Sequence, residues 1–330
     1  MLERSGTMNI LFVIDKIELK YFEFNNLVTN FWLIKELGFK SGVGGNNIFI
    51  TTNNRLYLKD SKAWAICYET YQKDGNIFYN KEEQDIIIDD FDLVMFRPDP
   101  PVDNDYINAT YILDFTTTKI INDTKAIRNF NEKLHATMFS EYMPKHIVTA
   151  SREKIEEFLK ENGEIILKPL NKCFGSGVMY LHQGDFNTRS IINTMTNEEN
   201  SVVMVQKFIP AVKYGDKRVL TLGDSILDEC VIKLPTTDDF KFNTHNDNFV
   251  KKGVLTDEER QNFTNVAKKL NKLGICMAGL DVVDGKIIEI NVTSPCYFIK
   301  EINNNFCTNI EKKICSYILS QLKIETEINY

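Results

Sequence analysis

Residues 279–295, with the sequence GLDVVDGKIIEINVTSP, carry the strongest structural and chemical signal in the chain. Two apolar segments flank Asp284-Gly285, a pair that is typical of a tight hairpin turn. Glu289 and Asn291 are alternate residues of the second segment, so their side chains must share one face of a strand. The apolar residues of that strand are expected on the opposite face: Ile288, Ile290 and Val292.

Asp281 would join the face of Glu289 and Asn291 if the turn held an odd number of residues, with Gly285 in the left-handed conformation. Two carboxylates and one amide would then converge from a rigid hairpin. Such an all-oxygen set suits Mg²⁺, which takes one or two carboxylates together with phosphate oxygens and waters. The spacing leaves an alternative open, the solvated polar face of an ordinary hairpin.

The composition indicates a globular protein and limits its partners. The 330 residues include 46 acidic and 39 basic side chains, a net charge of −7, and 43% of them are hydrophobic. This balance argues against nonspecific binding to nucleic acid or to an anionic membrane. The seven cysteines are scattered, and the apolar runs fall far short of the about 20 residues that span a bilayer. We therefore expect a reduced cytoplasmic protein, with residues 1–7 as an extension before a start at Met8.

The first region has the pattern of an open α/β sheet. Asn9–Asp15 is a buried strand, and a helix follows it up to Gly38, which is expected to act as the C-cap. Asp92–Phe96 is another clear strand, ended by the prolines of residues 97–101 because they remove backbone donors. We place this domain at residues 1–122. The apolar residues that define the helix are Leu27, Phe31, Ile34 and Leu37, and shorter strands are expected at Asn47–Thr51 and Ala65–Tyr68.

Residues 123–207 are expected to form a compact α+β unit in which helices flank short antiparallel strands. The predicted elements are a helix at Phe130–Phe139, a capped helix at Ser151–Gly163, and strands at Glu164–Lys168 and Val202–Gln206.

Residues 208–330 are expected to form the third unit, opened by a hairpin that turns at Gly223-Asp224. A capping box formed by Thr256 and Glu259 begins a helix, and a C-terminal helix is predicted at Thr308–Leu322. Residues 236–253 lack apolar periodicity, so they are interpreted as a long mobile loop.

Several residues stand where a ligand cleft is expected. Lys168 ends one strand, and Arg97 lies at the carboxyl end of another, which is where open α/β sheets bind ligands. Lys133 is a further candidate to neutralise a phosphate. A solvated surface charge is the alternative for each lysine, and a structural ion pair is the alternative for Arg97. Gly175 and Gly177 could let a backbone loop wrap phosphates, or they could belong to an ordinary turn.

These motifs, in this order, resemble those of bacterial-type glutathione synthetase, a family of ATP-grasp ligases. The resemblance extends from the first strand to about Ile302, although the part before Asp92 matches only in outline. It rests on residues 97–101 (RPDPP), 106–113 (YINATYIL), 131–134 (NEKL), 165–170 (IILKPL), 215–220 (GDKRVL) and 279–295. It implies an N-terminal Rossmann-like domain before an ATP-grasp fold, with a central lid at 123–207 and a C-terminal part at 208–330 that hold ATP between them.

The resemblance also implies the reaction, which is ATP-dependent joining of γ-glutamylcysteine to glycine through an acyl phosphate, with release of ADP and phosphate. The implied cofactors are ATP and Mg²⁺, with Mn²⁺ as a substitute, and the implied assembly is a homotetramer without nucleic-acid or membrane partners. The implied nucleotide contacts are Lys133, Lys168, Gly175, Gly177, Gln206, Lys207, Phe208, Ile209 and Asp216. The implied metal ligands are Asp281, Glu289 and Asn291, the substrate contacts Arg97, Thr293 and Ser294, and the catalytic residues Arg218 and Lys233.

Four departures from the family pattern bear on the substrate. Lys172 and Phe174 stand in the phosphate loop where the family carries residues that let the backbone approach phosphate closely. Lys233 replaces an arginine, which removes bidentate geometry. The segment after Pro235 lacks the family's glycine and arginine, and residues 16–26 lack its polar pattern. The sequence therefore leaves open a ligase for another peptide or amine acceptor, or a nucleotide-binding relative without catalysis.

Overall fold

The computed structural model describes residues 7–21, 28–39, 45–173, 175–236, 239–242, 250–295 and 298–328. Within these ranges the chain forms an eight-stranded, a four-stranded and a six-stranded sheet, and one two-stranded ladder. Helices pack between and against the sheets, which confirms the predicted α/β class. None of the helices in the described ranges is long and apolar enough to cross a membrane.

The first region contains the eight-stranded sheet, with strand order β3-β4-β2-β1-β7-β8 and with β5 and β6 paired to β4. Its elements are β1 (Asn9–Ile14), α1 (Lys16–Tyr21), α2 (Thr29–Phe39), β2 (Asn47–Thr52), β3 (Leu56–Lys59), β4 (Lys62–Lys73), β5 (Asn76–Tyr79), β6 (Gln84–Ile87), β7 (Leu93–Phe96), α3 (Asn104–Leu113) and β8 (Ile120–Ile121).

The strand β1 lies in the interior of this sheet, and both of its faces are covered. Every side chain from Ile10 to Ile14 is fully buried, and β1 pairs in parallel with both β2 and β7. A strand buried on both faces is apolar throughout instead of alternating, as the sequence predicted. The parallel arrangement places the carboxyl ends of β1 and β7 at one edge, where Arg97 follows β7.

The predicted role of Gly38 as a helix cap is wrong. Helix α2 continues through Gly38 to Phe39. A Cβ at this glycine would lie 2.8 Å from Cγ1 of Ile48, so the glycine allows α2 to pack closely on β2. Leu27, which the same prediction placed on the helix, lies outside the described residues.

The central region forms its own antiparallel sheet in the order β11-β10-β12-β9. Ile155, Leu167 and Val205 belong to a hydrophobic cluster confined to this region. The predicted caps of α5 are confirmed, since Ser151 accepts a hydrogen bond from the backbone N–H of Lys154 and Gly163 has a positive φ. The elements are α4 (Thr124–Arg128), β9 (His146–Thr149), α5 (Arg152–Asn162), β10 (Glu164–Pro169), β11 (Met179–His182), α6 (Thr188–Met195) and β12 (Val203–Lys207).

The helix predicted at Phe130–Phe139 is displaced toward the C-terminus. A 3₁₀ helix covers His135–Tyr142. A turn precedes this helix, and the side-chain oxygen of Asn131 stabilises the turn by accepting hydrogen bonds from the backbone N–H groups of Lys133 and Leu134. This polar turn holds Lys133 outside the regular helix.

The third region contains the six-stranded sheet, in the order β18-β15-β13-β19-β20 with β14 paired to β13. The capping box of Thr256 and Glu259 at the start of α7 is confirmed. The elements are β13 (Asp216–Leu222), β14 (Ser225–Ile226), β15 (Val231–Lys233), β16 (Pro235–Thr236), β17 (Asp239–Phe242), β18 (Val250–Lys252), α7 (Asp257–Lys272), β19 (Met277–Val283), β20 (Lys286–Asn291), α8 (Ile299–Phe306) and α9 (Ile310–Ile328).

The segment predicted as a long loop, residues 236–253, contains regular structure. β16 and β17 pair as a two-stranded ladder, and β18 adds to the edge of the large sheet beside β15. Residues 237–238 and 243–249 lie outside the described residues, and the mobility of the segment stays a prediction.

The first and third regions share a continuous core. Val94 and Leu280 belong to one hydrophobic cluster, and α9 packs against α2. Asn122 fixes the junction, because its side chain donates to the carbonyl oxygen of Met277 over 2.7 Å and accepts from the N–H of the same residue over 2.9 Å. The domain boundaries at 122 and 207 stay predictions, but the shared core aligns the ends of the first and third sheets.

Candidate active site

A cavity of about 500 Å³ is lined by residues from all three regions. It brings together every predicted site residue except Gly177, which lies against the ring of Pro169. The predicted residues in the lining are Arg97, Lys133, Lys168, Gly175, Gln206, Lys207, Phe208, Ile209, Asp216, Arg218, Lys233, Asp281, Glu289, Asn291, Thr293 and Ser294.

A buried ion network forms one wall of this cavity. The guanidinium of Arg218 donates to both carboxylate oxygens of Asp281, over 2.7 and 3.3 Å. The ammonium of Lys233 lies 3.0 Å from Asp281 and 2.9 Å from Asp216. Lys233 therefore links the two carboxylates from the neighbouring strand, a role that needs a compact cation more than a planar fork.

The same network sets the charge state of its acids. Burial alone would raise the pKa of Asp281, but Arg218 and Lys233 outweigh burial and hold that pKa well below its usual range. Burial raises the pKa of Asp216 to about 7, although Lys233 opposes the shift. Asp281 therefore stays ionised, whereas Asp216 is more readily protonated.

The hairpin that carries Asp281 and Glu289 reaches the expected arrangement by another route. Its turn has two residues, Asp284 and Gly285, both with positive φ, so the condition of an odd-numbered turn is wrong. Instead, a β-bulge leaves Ile288 as the extra residue between the pair Asp281–Glu289 and the pairs nearer the turn. The bulge puts Asp281 opposite Glu289.

The bulge also overturns the prediction that Ile288 faces away from the site. Ile288 lines the cavity, whereas Ile287 and Ile290 are fully buried in the core. The carbonyl oxygen of Ile288 accepts a hydrogen bond of 3.0 Å from Nζ of Lys168. The irregular residue of β20 thus holds a cation at the cavity wall.

The oxygens of Asp281, Glu289 and Asn291 form a donor set that fits a hard divalent cation. The amide nitrogen of Asn291 donates to Asp281 over 3.1 Å and to the carbonyl oxygen of Gly279 over 3.2 Å, which turns its own oxygen away from these acceptors. Oxygen-only sets with two carboxylates suit Mg²⁺ when phosphate and water complete the shell. Within the described residues, no group of three His, Cys, Asp or Glu side chains could hold a metal by itself.

Lys133 and Lys168 are buried, so their interpretation as surface charges is wrong. Nζ of Lys133 lies 2.8 Å from Glu289 and 2.7 Å from the carbonyl oxygen of Lys172. Lys133 thus links Glu289, one of the predicted metal ligands, to the loop of residues 171–178. Burial lowers the pKa of Lys168 to about 8, although Glu289 opposes the shift. An anion in the cavity would relieve this cost for Lys168.

Glu132 is a site residue that the sequence interpretation missed. One oxygen of its carboxylate accepts hydrogen bonds from the N–H of Val292 over 2.7 Å, and from the N–H and the hydroxyl of Thr293 over 3.1 Å each. Glu132 thereby ties the central region to the end of β20. The hydroxyl of Thr293 is used in this tie. The only signal in the sequence was its position beside Lys133, and one glutamate carries no periodicity.

Two buried polar atoms in the lining lack partners among the described residues. They are Nε2 of Gln206, a donor, and Oδ1 of Asp216, an acceptor. Buried polar groups in native proteins are normally satisfied, so such atoms in a cavity wall indicate a polar ligand. The apolar side chains that line the same cavity include Ile166, Val178 and Val283. A flat heterocycle with an attached sugar matches this combination.

Arg97 crosses from the first region to the end of the segment that follows β20. Its Nε donates to the side-chain oxygen of Asn30, and Nη2 donates to the carbonyl oxygen of Pro295 over 3.0 Å. Ser294 lies 3.5 Å from the same nitrogen. Arg97 therefore both orders the cavity wall and presents positive charge there.

Glu18 lies behind Arg97 and should make stability depend on pH. Burial, followed by the charge of Asp99, raises the pKa of Glu18 to about 8. The native state then keeps a proton that the unfolded state releases above about 4.5, so stability should fall as pH rises from about 4.5 to about 8. In the wild type this change in the free energy of unfolding should be on the order of a few kcal/mol, and Glu18→Gln should remove it.

Urea unfolding across this pH range tests the expectation for Glu18. The exposed Glu153, replaced by glutamine, is the control and should keep the wild-type dependence. A Glu18→Gln protein whose stability declines as steeply as wild type would assign the dependence to other groups.

Gly215 precedes Asp216 and cannot be replaced without displacing the ion network. Its φ is +107°, and a Cβ would lie 2.5 Å from Cγ2 of Ile232 and 2.6 Å from the carbonyl oxygen of Lys233. Gly215→Ala should destabilise the protein by about 1–3 kcal/mol or more and weaken nucleotide binding. Gly285→Ala is the matched control, because its φ is +71° and its Cβ would meet nothing within 4 Å. Equal losses in chemical unfolding would contradict the steric argument.

Two models of known families match the chain in succession. The N-terminal domain of prokaryotic glutathione synthetase matches residues 8–128, and the ATP-grasp domain of the same enzymes matches residues 132–307. The chain belongs to the prokaryotic glutathione synthetase family. As a member of this family it is an ATP-dependent ligase, and the predicted resemblance is confirmed.

Curated members of the glutathione synthetase family are similar over most of their length. Glutathione synthetase of Nostoc sp. is 32% identical over 295 residues, which cover 85% of this chain and 90% of that protein. Glutathione synthetase of Vibrio parahaemolyticus is 35% identical over 286 residues, which cover 85% and 90%. The similarity therefore includes both the sheet of the first region and the cavity.

Solved structures confirm the ATP-grasp fold of this synthetase family member. D-cycloserine synthetase DcsG superposes with a TM-score of 0.66 at 12% identity, covering 95% of this chain and 99% of that one. The ATP-grasp ligase PsnB, solved with a precursor peptide and AMPPNP, gives 0.59 at 15% identity, covering 96% and 99%. At such identities the likeness concerns the fold alone.

Proposed function

We propose that this protein is a glutathione synthetase that joins γ-glutamylcysteine to glycine and converts ATP to ADP and phosphate. The observation that carries the proposal is the cavity, where Lys133, Lys168 and Arg218 face the oxygens of Asp281 and Glu289. Phosphoryl transfer needs fixed positive charge around the reacting phosphate, and this wall supplies it without reorganisation.

The nucleotide would occupy the part of the cavity between the central and third sheets. Gln206 and Asp216 have an unmatched donor and acceptor, which suit the base and the ribose. The backbone from Lys207 to Ile209 lines the same end. Lys133 and Lys168 would contact phosphates, and their burial makes each contact stronger than it would be in water.

The loop with Gly175 would cover the phosphates from the central region. Gly175 lines the cavity and has a positive φ, whereas Gly177 would act only through the shape of the loop. Cys173 in this loop is half-buried, and burial raises the pKa of its thiol, so it is an uncharged neighbour of the phosphates.

Glu289, Asn291 and Asp281 would hold the divalent cation, for which we propose Mg²⁺ with Mn²⁺ as a substitute. The cation, when bound, neutralises phosphate charge and polarises the transferred phosphoryl group. The oxygens of Asp281 already bind the side chains of Arg218 and Lys233. Asp281 would therefore act mainly by orienting these two side chains and that of Asn291. Glu289 would be the principal anionic ligand.

Arg218 and Lys233 would stabilise the negative charge of the acyl phosphate on the cysteinyl carboxylate. Asp281 holds both cations in place before substrates bind, and the ring of Phe298 lies 5.7 Å from the guanidinium of Arg218. Arg97 and Ser294 would bind the γ-glutamylcysteine end of the cavity. Thr293 would act through its bond to Glu132, since its hydroxyl is used there.

The deciding experiment measures ADP release with ATP, Mg²⁺, γ-glutamylcysteine and glycine, and identifies glutathione by mass. We expect release that needs both substrates. Alanine, serine and β-alanine in place of glycine test the alternative of another acceptor, and faster release with one of them would replace glycine in the proposal. Release that is absent with every donor and acceptor pair would overturn the proposed reaction. The homotetramer stays a prediction, which light scattering tests.

A further inference from the structure

The end of the cavity beside Arg97 presents the carboxylate of Asp99 to a ligand. Asp99 follows Arg97 by two residues, and it is an exposed residue of the cavity lining. It is hydrogen-bonded to Ser294, and both this bond and Arg97 lower its pKa. Desolvation and the charge of Asp15 outweigh them and raise it. A cation bound to Asp99 would stabilise its ionised form and so oppose this rise in pKa.

Asp15 and Glu18 lie near this end but are bound by other groups of the protein. Asp15 accepts hydrogen bonds from the backbone N–H groups of Ile17 and Glu18, over 2.7 and 2.8 Å, at the start of α1. Glu18 is buried, and both of its oxygens accept from the side-chain amide of Asn30, over 3.0 and 2.9 Å. Neither acid is part of the cavity lining, whereas Asp99 is. The lining also contains Glu301 of α8 and Glu132, whose carboxylate is held by the N–H groups of Val292 and Thr293.

Donors that suit a carboxylate lie beside this acid. The N-terminus of α2 lines the cavity at Val28 and Thr29, and helix N-termini attract carboxylates. The hydroxyl of Tyr106 is buried and lacks a partner among the described residues. Tyr106 is not part of the cavity lining, so the donors that a ligand would meet are the N-terminus of α2 and Arg97. Asn30 in the first turn of α2 accepts a hydrogen bond from Nε of Arg97, which places these two donors side by side.

A carboxylate next to hydrogen-bond donors suits a ligand that carries both an ammonium and a carboxylate better than it suits a simple anion. The α-carbon of a γ-glutamyl group carries these two groups, while its γ-carboxyl forms the amide with cysteine. We propose that Asp99 binds the α-ammonium of the glutamyl group, and that the N-terminus of α2 and Arg97 receive its α-carboxylate. This proposal rests on the proposed function and assigns Asp99 as the residue that selects donors with a free α-amino group.

The test pairs a variant with a substrate that lacks the same group. N-glutarylcysteine keeps a carboxylate but has no α-ammonium. With wild type at saturating ATP and glycine, kcat/KM from ADP release should be about 30-fold or more lower for N-glutarylcysteine than for γ-glutamylcysteine. In Asp99→Asn, kcat/KM should fall by about the same factor for γ-glutamylcysteine and should change little for N-glutarylcysteine. The KM for ATP should not change.

Asp114→Asn serves as the matched control, because Asp114 pairs with Arg128 over 3.0 Å and is absent from the cavity lining. It should keep wild-type values for both donors. Equal use of the two donors by wild type overturns the proposal without depending on how any variant folds. An equal loss for both donors in Asp99→Asn also overturns it, since Asp99 would then act only on the shape of the wall. Absence of turnover with γ-glutamylcysteine in wild type would instead refute the proposed function.

Discussion

Glu289→Gln is expected to lower the rate of ADP release by on the order of 10²–10³-fold while the protein remains folded. Glutamine keeps the shape of the side chain but removes the charge that we assign to the cation. Lys133 loses its ion pair with Glu289, yet it keeps its bond to the carbonyl oxygen of Lys172. The side chain of Glu289 is 23% exposed, so we expect a loss of stability of no more than about 1 kcal/mol.

A titration with Mg²⁺ separates a metal role of Glu289 from a merely structural one. If Glu289 holds the cation, the Mg²⁺ concentration that gives half-maximal rate should rise in the variant. Glu83→Gln is the control, since Glu83 also pairs with a cation, Arg55, but lies just before β6 of the first sheet and outside the cavity. A Glu289→Gln enzyme with wild-type rate and unchanged Mg²⁺ dependence would refute the assignment.

Asp281→Ala is expected to abolish turnover and also to destabilise the fold by about 3–5 kcal/mol. The sequence alone suggests that Asp281 and Glu289 are equivalent ligands whose loss leaves the fold intact. The structure distinguishes them, because Asp281 is 7% exposed and compensates the buried charges of Arg218 and Lys233. Removal of Asp281 leaves the buried guanidinium of Arg218 without this bidentate partner.

Urea denaturation of the two single variants tests this difference. Asp281→Ala should unfold at a clearly lower urea concentration than Glu289→Gln, with an unchanged slope. Asp281→Asn should fall between Asp281→Ala and wild type, since it keeps an acceptor for Arg218 but not the charge. If Asp281→Ala and Glu289→Gln are equally stable, the ion network contributes little and the two residues are equivalent after all.

The ordered motifs predicted the fold class and half of the residues that line the cavity, because these motifs depend on local chemistry. The apolar run of β1 and the capping box at Thr256 are set by residues close in sequence, and both are confirmed. Arg97 and Lys168 were likewise predicted from their places at strand ends, and Glu289 was predicted from its alternation with Asn291 along one strand. Gly38 was misread because a glycine near a helix end has two uses, a cap or a close contact. Only the distance to Ile48 separates them.

The sequence by itself determined which residues are candidates for the chemistry, since the hairpin of residues 279–295 specifies its carboxylates and amide within one short segment. The tertiary structure decided how they are arranged. The bulge at Ile288, the tie from Glu132 to Thr293 and the pairing of Lys233 with two acids each join residues that are set by pairing register or by contacts between distant segments. Register and long-range contacts depend on the packing of whole sheets, and no local pattern encodes them.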